Sequence, residues 1–225
     1  MQLRTPAILA TAAGLALGAA ACGDDSTSSS GQGSSASQTQ ASKPEPVAQI
    51  DQLSGRSTAV ELDSGFVDAL ASLKLTPGPV GDASIDGATA SFPITGGNVT
   101  YYEPGTVSPY VQGEIDHDGS GLSLEGAGKT VRLTNFVVDP GASVLTGKVT
   151  VDGQEAAADA PLFFLDGRTL EPLKVNKGDG TAVLQGTSVK LKAEAADLLN
   201  QTFGVDALKE GLMIGTAKIT VNTAA

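Results

Sequence analysis

The chain has 225 residues, of which 17% are charged and 4% are aromatic, and its formal net charge at pH 7 is −11. Nucleic-acid binding depends on clustered Lys and Arg side chains that neutralise phosphates, whereas the 14 basic residues here are scattered among 25 acidic ones. We therefore expect no nucleic-acid partner. A single cysteine, Cys22, excludes an intramolecular disulfide and a cysteine-based metal site.

Residues 1–21 have the pattern of an export signal. The start MQLR is followed by the apolar, small-residue segment PAILATAAGLALGAAA, which ends at Cys22. This segment is short for a membrane span, which needs roughly 20 apolar residues. A small-residue tract that ends in Cys and continues into a polar segment resembles a bacterial lipoprotein signal, although Ala19 stands where that family prefers Leu. The resemblance implies an extracytoplasmic protein anchored to the cell membrane by lipidated Cys22; the alternative is a plain secretory peptide with a free thiol.

Residues 22–56 are rich in Ser, Gly and Gln and contain hardly any large apolar side chain. Such a sequence buries too little surface to offset the entropy lost on ordering, so we predict a disordered tether. By random-coil scaling, some 30 residues of this kind reach roughly 30 Å. That distance is enough to hold a domain clear of lipid headgroups.

Residues 57–225 are predicted to form a single β-rich domain. It opens with the alternating segment STAVEL and a short helix in FVDALASLKL, for which Asp63 or Ser64 is a natural N-cap. About ten short segments bounded by Gly, Asp or Pro then follow the period of strands. A second helix is predicted over Ala193–Phe203 and is closed by Gly204. The pattern predicts a mainly β fold, an antiparallel β-sandwich or barrel-like sheet with two short helices.

The segment DHDGSG, which runs from Asp116 to Gly121, contains the densest carboxylate cluster of the chain. Asp116, Asp118 and Ser120 take positions 1, 3 and 5 of an EF-hand loop, but position 12 is Ala127 instead of a bidentate Glu. We therefore expect no EF-hand and no metal site. A looser calcium contact and a polar turn between two strands are the remaining interpretations, and the turn is the prediction.

His117, the only histidine, lies in this segment and could act as a protonation switch or a ligand contact, or simply be exposed and solvated. No Ser-His-Asp triad or Cys-His pair can be identified around it, so we expect no enzymatic activity. Tyr102 and Tyr110, in TYYEPGTVSPY, could present their rings to a ligand. Since consecutive strand residues point to opposite faces, at most one of Tyr101 and Tyr102 lines a given pocket.

The order of these features resembles the HtaA-type haem-transport domain of bacterial surface proteins. The resemblance covers about residues 58–148 and is best in the turn G-x-[IV]-x-H-x-G-x-L-x-L, here GEIDHDGSGLSL with one extra residue before Leu122. It implies a β-rich fold in which a Tyr from the first helical region holds haem and a His from this turn supports it. His117 falls on that His. The Tyr has no counterpart, because the matching helix is SGFVDALASL with Phe66, and Phe cannot coordinate iron.

The sequence therefore predicts a cell-surface, lipid-anchored, non-enzymatic binding domain related to haem-transport modules. Its candidate ligand-binding residues are His117, Tyr102 and Tyr110. No resident cofactor is expected, and haem is the ligand that the resemblance implies. The alternative is a structural or adhesive envelope lipoprotein without a small-molecule site, whose partner would be another envelope protein.

Overall fold

The structure is a computed structural model that describes residues 44–223. The predicted signal, Cys22 and most of the predicted tether lie outside the described residues. Within residues 44–223, no helix combines the length and the apolar character that a membrane crossing requires.

Strands account for most of the described chain. They are β1 (Ala48–Ile50), β2 (Arg56–Leu62), β3 (Thr76–Gly81), β4 (Ser84–Asp86), β5 (Thr89–Pro93), β6 (Gly96–Tyr101), β7 (Val111–Gly126), β8 (Lys129–Asp139), β9 (Val144–Val151), β10 (Gln154–Asp166), β11 (Lys174–Asn176), β12 (Thr181–Leu191) and β13 (Met213–Asn222). Helix α1 (Ser64–Ser72) follows β2, and helix α2 (Ala193–Phe203) follows β12.

All of these strands belong to one antiparallel sheet with the order β1-β6-β7-β8-β9-β10-β12-β13-β2-β5-β4; β3 pairs with β7 and β11 with β12 beside this path. The sheet curls into a half-barrel, and its core is built from Leu, Val, Ile, Ala and Phe side chains. The prediction of a mainly β, antiparallel, barrel-like domain with two short helices is confirmed.

Both helices have the ends that the sequence predicts. The Asp63 carboxylate accepts hydrogen bonds from the N–H groups of Gly65 and Phe66 at 2.9 and 3.4 Å, which caps α1. Helix α2 ends at Gly204, whose φ of 67° is the left-handed conformation that glycine adopts without steric cost. The apolar faces of the helices pack on the sheet.

The described residues include a strand inside the range 22–56 that was predicted as tether. Strand β1 pairs with β6, and Leu53 is buried, with its N–H donating to the Gly97 carbonyl at 2.8 Å. A three-residue strand followed by one isolated apolar residue is too short to produce a recognisable period in a polar sequence.

Strand β3 occupies a segment that the sequence presents as a Pro-Gly-Pro loop. Pro77 and Pro79 lie within it, and β3 pairs with β7 alone among the described strands. Proline has no N–H to donate to a neighbouring strand. It is therefore tolerated in a strand that has a neighbour on only one edge.

Candidate functional site

The segment from Asp116 to Gly121 is not the predicted turn between two strands but an irregularity inside the 16-residue strand β7. On one edge, β7 pairs with β6 as far as Asp116 and with β3 from Ser120 onwards. On the other edge, β8 continues past this point, and between His117 and Gly121 the β7 chain contains two more residues than the facing part of β8. This β-bulge therefore lies where β7 changes its neighbour, and it re-aims the side chains around it.

Side chains from neighbouring segments fix the backbone of the bulge. Gly119, with φ of 72°, donates its N–H to the Asn135 side-chain oxygen at 3.1 Å, and the Asp118 N–H donates to the Thr95 hydroxyl at 2.9 Å. The Gly119 carbonyl accepts from the Asp82 N–H at 3.2 Å. The groups that a bulge removes from the ladder thus have partners, which makes the bulge a fixed part of the fold.

The bulge directs His117 into the interior of the half-barrel. The side chain is 1% exposed, so the alternative of a solvated histidine is wrong. Its Nε2 atom lies 2.8 Å from the Thr58 hydroxyl on β2, and the Phe92 ring on β5 meets it edge-on at 6.4 Å between centroids. Because β2 and β5 are not sheet neighbours of β7, these contacts cross the half-barrel and join its two sides.

Burial sets the charge of His117. Desolvation lowers its pKa from 6.5 to about 4, so the ring is neutral at pH 7. The carbonyls of Phe136 and Ile115 and the carboxylate of Asp118 oppose this shift. Neither carbonyl reaches Nδ1 with hydrogen-bond geometry, and this buried atom has no partner among the described residues. His117 is therefore a neutral polar residue within the core.

A cavity of about 600 Å³ lies inside the half-barrel next to His117. Its wall is predominantly apolar and is formed by side chains from both sides of the curled sheet, among them Val60, Phe92, Val99, Val111, Ile115, Phe136, Val138, Leu165, Val189 and Ile214. Thr58 and His117 also line the cavity. Their mutual hydrogen bond occupies the hydroxyl and Nε2, while Nδ1 of His117 has no partner among the described residues.

The mouth of the cavity is marked by the lining residues that are exposed to solvent. These are Gln49, Ser108, Pro109, Phe164, Gly167 and Arg168. Phe164 is 43% exposed, which is unusual for an aromatic side chain of this core. Within residues 44–223, the only lining side chains that are charged at pH 7 are Asp166 and Arg168.

Asp166 organises the charges at the mouth. Its carboxylate is 5% exposed and accepts from Arg168 Nε at 2.9 Å and Nη2 at 2.6 Å, and from Lys190 Nζ at 2.9 Å. The Arg168 guanidinium, followed by Lys190, holds the pKa of the Asp166 carboxyl well below its usual range. One carboxylate between two cations gives this cluster a net charge of about +1 on an otherwise acidic protein.

The structure brings two of the three predicted ligand-binding residues to this cavity. His117 and Tyr110 line it, and Tyr102 does not. Tyr102 follows the end of β6 and is buried, whereas Tyr101 is the tyrosine of that pair that faces the cavity. The rings of Tyr101 and Tyr110 meet edge-to-face, with 5.9 Å between their centroids. Burial raises the pKa of the Tyr110 phenol, and the electrostatic effect of Tyr101 raises it further. Tyr110 therefore stays protonated at neutral pH.

A second cavity, of about 310 Å³, lies between the sheet and the two helices. Phe66 of α1, which stands where the family resemblance expects a tyrosine, lines this second cavity and not the first. The four side chains that line both cavities are those of Leu62, Leu122, Phe163 and Ile214.

Neither the sequence pattern at 116–121 nor any other described cluster brings metal ligands together. Among residues 44–223, no group of three or more His, Cys, Asp and Glu side chains could hold a metal ion. In the bulge itself, Asp118 is exposed, while Ser120 is fully buried and donates its hydroxyl to the His117 carbonyl at 3.2 Å. The side-chain oxygen atoms of Asp118 and Ser120 therefore lie in different environments, one in solvent and the other in the core.

The sequence did not indicate Arg168, Asp166 or Phe164 as site residues. They follow one another in PLFFLDGR at the end of β10, and no motif surrounds them. The one available signal was the order of an apolar strand, an acid and a base. That order is too common to predict a site without the topology that places it at a cavity mouth.

The features above define an antiparallel half-barrel domain with an internal apolar cavity, and its fold is HtaA-like. The C-terminal domain of HtaA from Corynebacterium glutamicum matches it with a TM-score of 0.54 and 15% sequence identity, over 76% of this chain and 98% of that chain. The domain-swapped dimer of a variant of the same domain matches with a TM-score of 0.45 and 15% identity, over 72% of this chain and 92% of that chain. No family model matches the sequence, and no curated protein matches it significantly.

Proposed function

We propose that this chain is a cell-surface, non-enzymatic domain, related to haem-transport modules, that binds an apolar small molecule inside its half-barrel. The observation that carries the proposal is the cavity of about 600 Å³. Ligand sites typically measure about 300–1,000 Å³ and combine apolar walls with a few polar groups. Protein interiors otherwise contain few voids larger than a water molecule, and larger ones cost stability, so a void of this size in a small domain favours a binding role.

The HtaA-like fold supports the relation to haem-transport modules, and the export signal that the sequence predicts supports an extracytoplasmic location. The fit of haem itself must be judged on the residues of the cavity. The resemblance implies a tyrosine ligand with a supporting histidine. Here Phe66 replaces that tyrosine and lines the other cavity, and Nε2 of His117 is hydrogen-bonded to Thr58. The raised pKa of Tyr110 disfavours a phenolate ligand. The described residues therefore do not fit iron coordination of the family type.

An uncharged apolar probe tests whether the cavity binds ligands. We expect N-phenyl-1-naphthylamine to bind the full chain with a gain in fluorescence, and we expect Ala217→Phe to weaken binding by at least about tenfold. Ala217 lines the cavity from β13, so a ring placed there fills the space that the probe would occupy. A fluorescence titration with each protein measures the dissociation constants.

The matched control is Ala207→Phe, because Ala207 is exposed in the loop after α2 and does not line the cavity. It should bind the probe like the wild type, and thermal melting should show that both variants are folded. Equal binding by wild type and Ala217→Phe would contradict the proposal. A haemin Soret shift that disappears in His117→Ala would overturn our conclusion that these residues do not fit iron coordination of the family type.

We further propose that Cys22 carries the lipid anchor. The expected result is a mature N-terminus at Cys22 whose mass, determined by mass spectrometry of protein from the native membrane fraction, includes acyl chains. Cys22→Ser should release the protein from the membrane into the soluble fraction, because a chain without acyl groups lacks the apolar anchor. An unmodified thiol at Cys22 would refute lipidation.

A further inference from the structure

We propose that the ligand of this cavity is a single-chain amphiphile with a carboxylate head, such as a long-chain fatty acid, whose head group is bound by Arg168. The inference rests on the proposed function, because it names the ligand class of the same cavity. It is based on the charge at the cavity mouth, on the free donors of Arg168 and on the apolar surface beside it.

The cluster at the mouth has the charge that such a head group requires. Arg168 and Lys190 carry two positive charges against the single negative charge of Asp166. The excess of about one positive charge is balanced by one monovalent carboxylate. Arg168 is the only cationic side chain among the cavity-lining residues within 44–223, so an anionic head group has one favourable place on this rim.

Arg168 can bind a ligand without giving up its contact with Asp166. A guanidinium has five N–H donors in a planar fork. The Arg168 Nε and Nη2 atoms donate hydrogen bonds to the Asp166 carboxylate. Nη1 makes no hydrogen bond to any residue in the part of the chain that the structure describes. The side chain is 83% exposed, and Asp166 already orients it, so binding a carboxylate costs less side-chain entropy than it would for a free arginine.

The surface between Arg168 and the interior is apolar. Phe164 lies at the mouth, and the less exposed Leu165 and Leu173 also line the cavity. Further in, the wall is predominantly apolar. Thr58 and Nε2 of His117 are hydrogen-bonded to each other, and Nδ1 of His117 is the buried side-chain atom without a partner among the described residues. A molecule with one anionic end and one apolar tail satisfies both regions, whereas a neutral apolar molecule leaves Arg168 unused.

Displacement of N-phenyl-1-naphthylamine from the full chain carrying Cys22→Ser tests this proposal, because no acyl group on the protein then competes. Palmitate is expected to displace the probe at about three- to fivefold lower concentration than hexadecanol, which has the same chain and no charge, a ratio in the range of one exposed ion pair. Arg168→Gln should abolish this difference and Arg168→Lys should retain part of it. Arg132→Gln, which removes an exposed arginine outside the cavity lining, should leave it unchanged.

Equal displacement by palmitate and hexadecanol, together with no effect of Arg168→Gln, would overturn the carboxylate assignment and leave the apolar site intact. Stronger displacement by hexadecyl phosphate than by palmitate, dependent on Arg168, would replace the carboxylate with a phosphate head. If the probe itself fails to bind, the proposed function falls as well. The comparison of palmitate with hexadecanol uses the Arg168 wild-type chain, so it stays decisive even if Arg168→Gln does not fold.

Discussion

Lowering the pH from 7 to 4 is expected to reduce the free energy of unfolding of this domain by about 3 kcal/mol through His117. The folded protein holds the ring neutral, with a pKa of about 4, whereas the unfolded chain protonates it below its ordinary pKa of 6.5. The stability from this group is thus fully present above pH 6.5 and is lost as the pH falls towards 4. Urea unfolding at a series of pH values measures the slope.

The variant His117→Gln separates this effect from the carboxylates. Glutamine does not titrate, so its stability should change little between pH 6.5 and 4.5, even though the variant is less stable overall. Asp152, Asp166 and Glu171 have lowered pKa values because of their cationic partners. Their contribution to the stability of the protein is therefore lost mainly at lower pH, as the carboxylates become protonated. The same slope in wild type and His117→Gln between pH 6.5 and 4.5 would contradict the assignment to His117.

Gly97→Ala is expected to cost about 3 kcal/mol of stability, the sum of backbone strain and overpacking. Gly97 lies in β6 opposite Ile115 and has φ of 103°, a conformation that side chains rarely adopt. An added methyl group would lie 2.8 Å from the Glu114 carbonyl carbon and 3.0 Å from the Ile115 Cα. Both are backbone atoms of β7 just before the bulge, so relief of the clash would move the strand that carries His117.

Gly87→Ala is the matched control for this loss. Gly87 also has positive φ, at 58°, but nothing lies within 4 Å of an added methyl group. Its cost should be about 1 kcal/mol, from the left-handed backbone alone. Denaturant midpoints of the two variants measure the difference. Equal losses would show that the contact between β6 and β7 tolerates a side chain and that only backbone conformation matters.

The helices and the sheet class were predictable because they depend on local signals. Ala193–Phe203 was predicted with the bounds that the structure shows, since a regular apolar period and a terminal glycine leave little freedom. Strand β7 was divided in two, because DHDGSG has the composition of a turn. Its role as a bulge depends on the partners Thr95 and Asn135, which lie 23 and 16 residues away. No local reading of the sequence contains that information.

The candidate site shows the same limit. Its single histidine could be identified from the sequence, but not its burial, because a His between two Asp residues usually lies at the surface. Its partner Thr58 is 59 residues away on a strand that meets β7 only through the curl of the sheet. The charged residues Asp166 and Arg168 at the mouth lie at the end of β10 and just after it. Nothing in the local sequence pattern distinguishes Arg168 from any other surface arginine.

The short strand β1 is the part of the cavity wall that we expect to be most prone to local unfolding. Its three residues line the cavity, yet β6 is its only partner among the described strands. Few hydrogen bonds must break to release it, whereas β7 is paired along both edges and opens only with the sheet as a whole. We therefore expect β1 to be the part of the cavity wall that opens at the lowest free energy, below that of global unfolding.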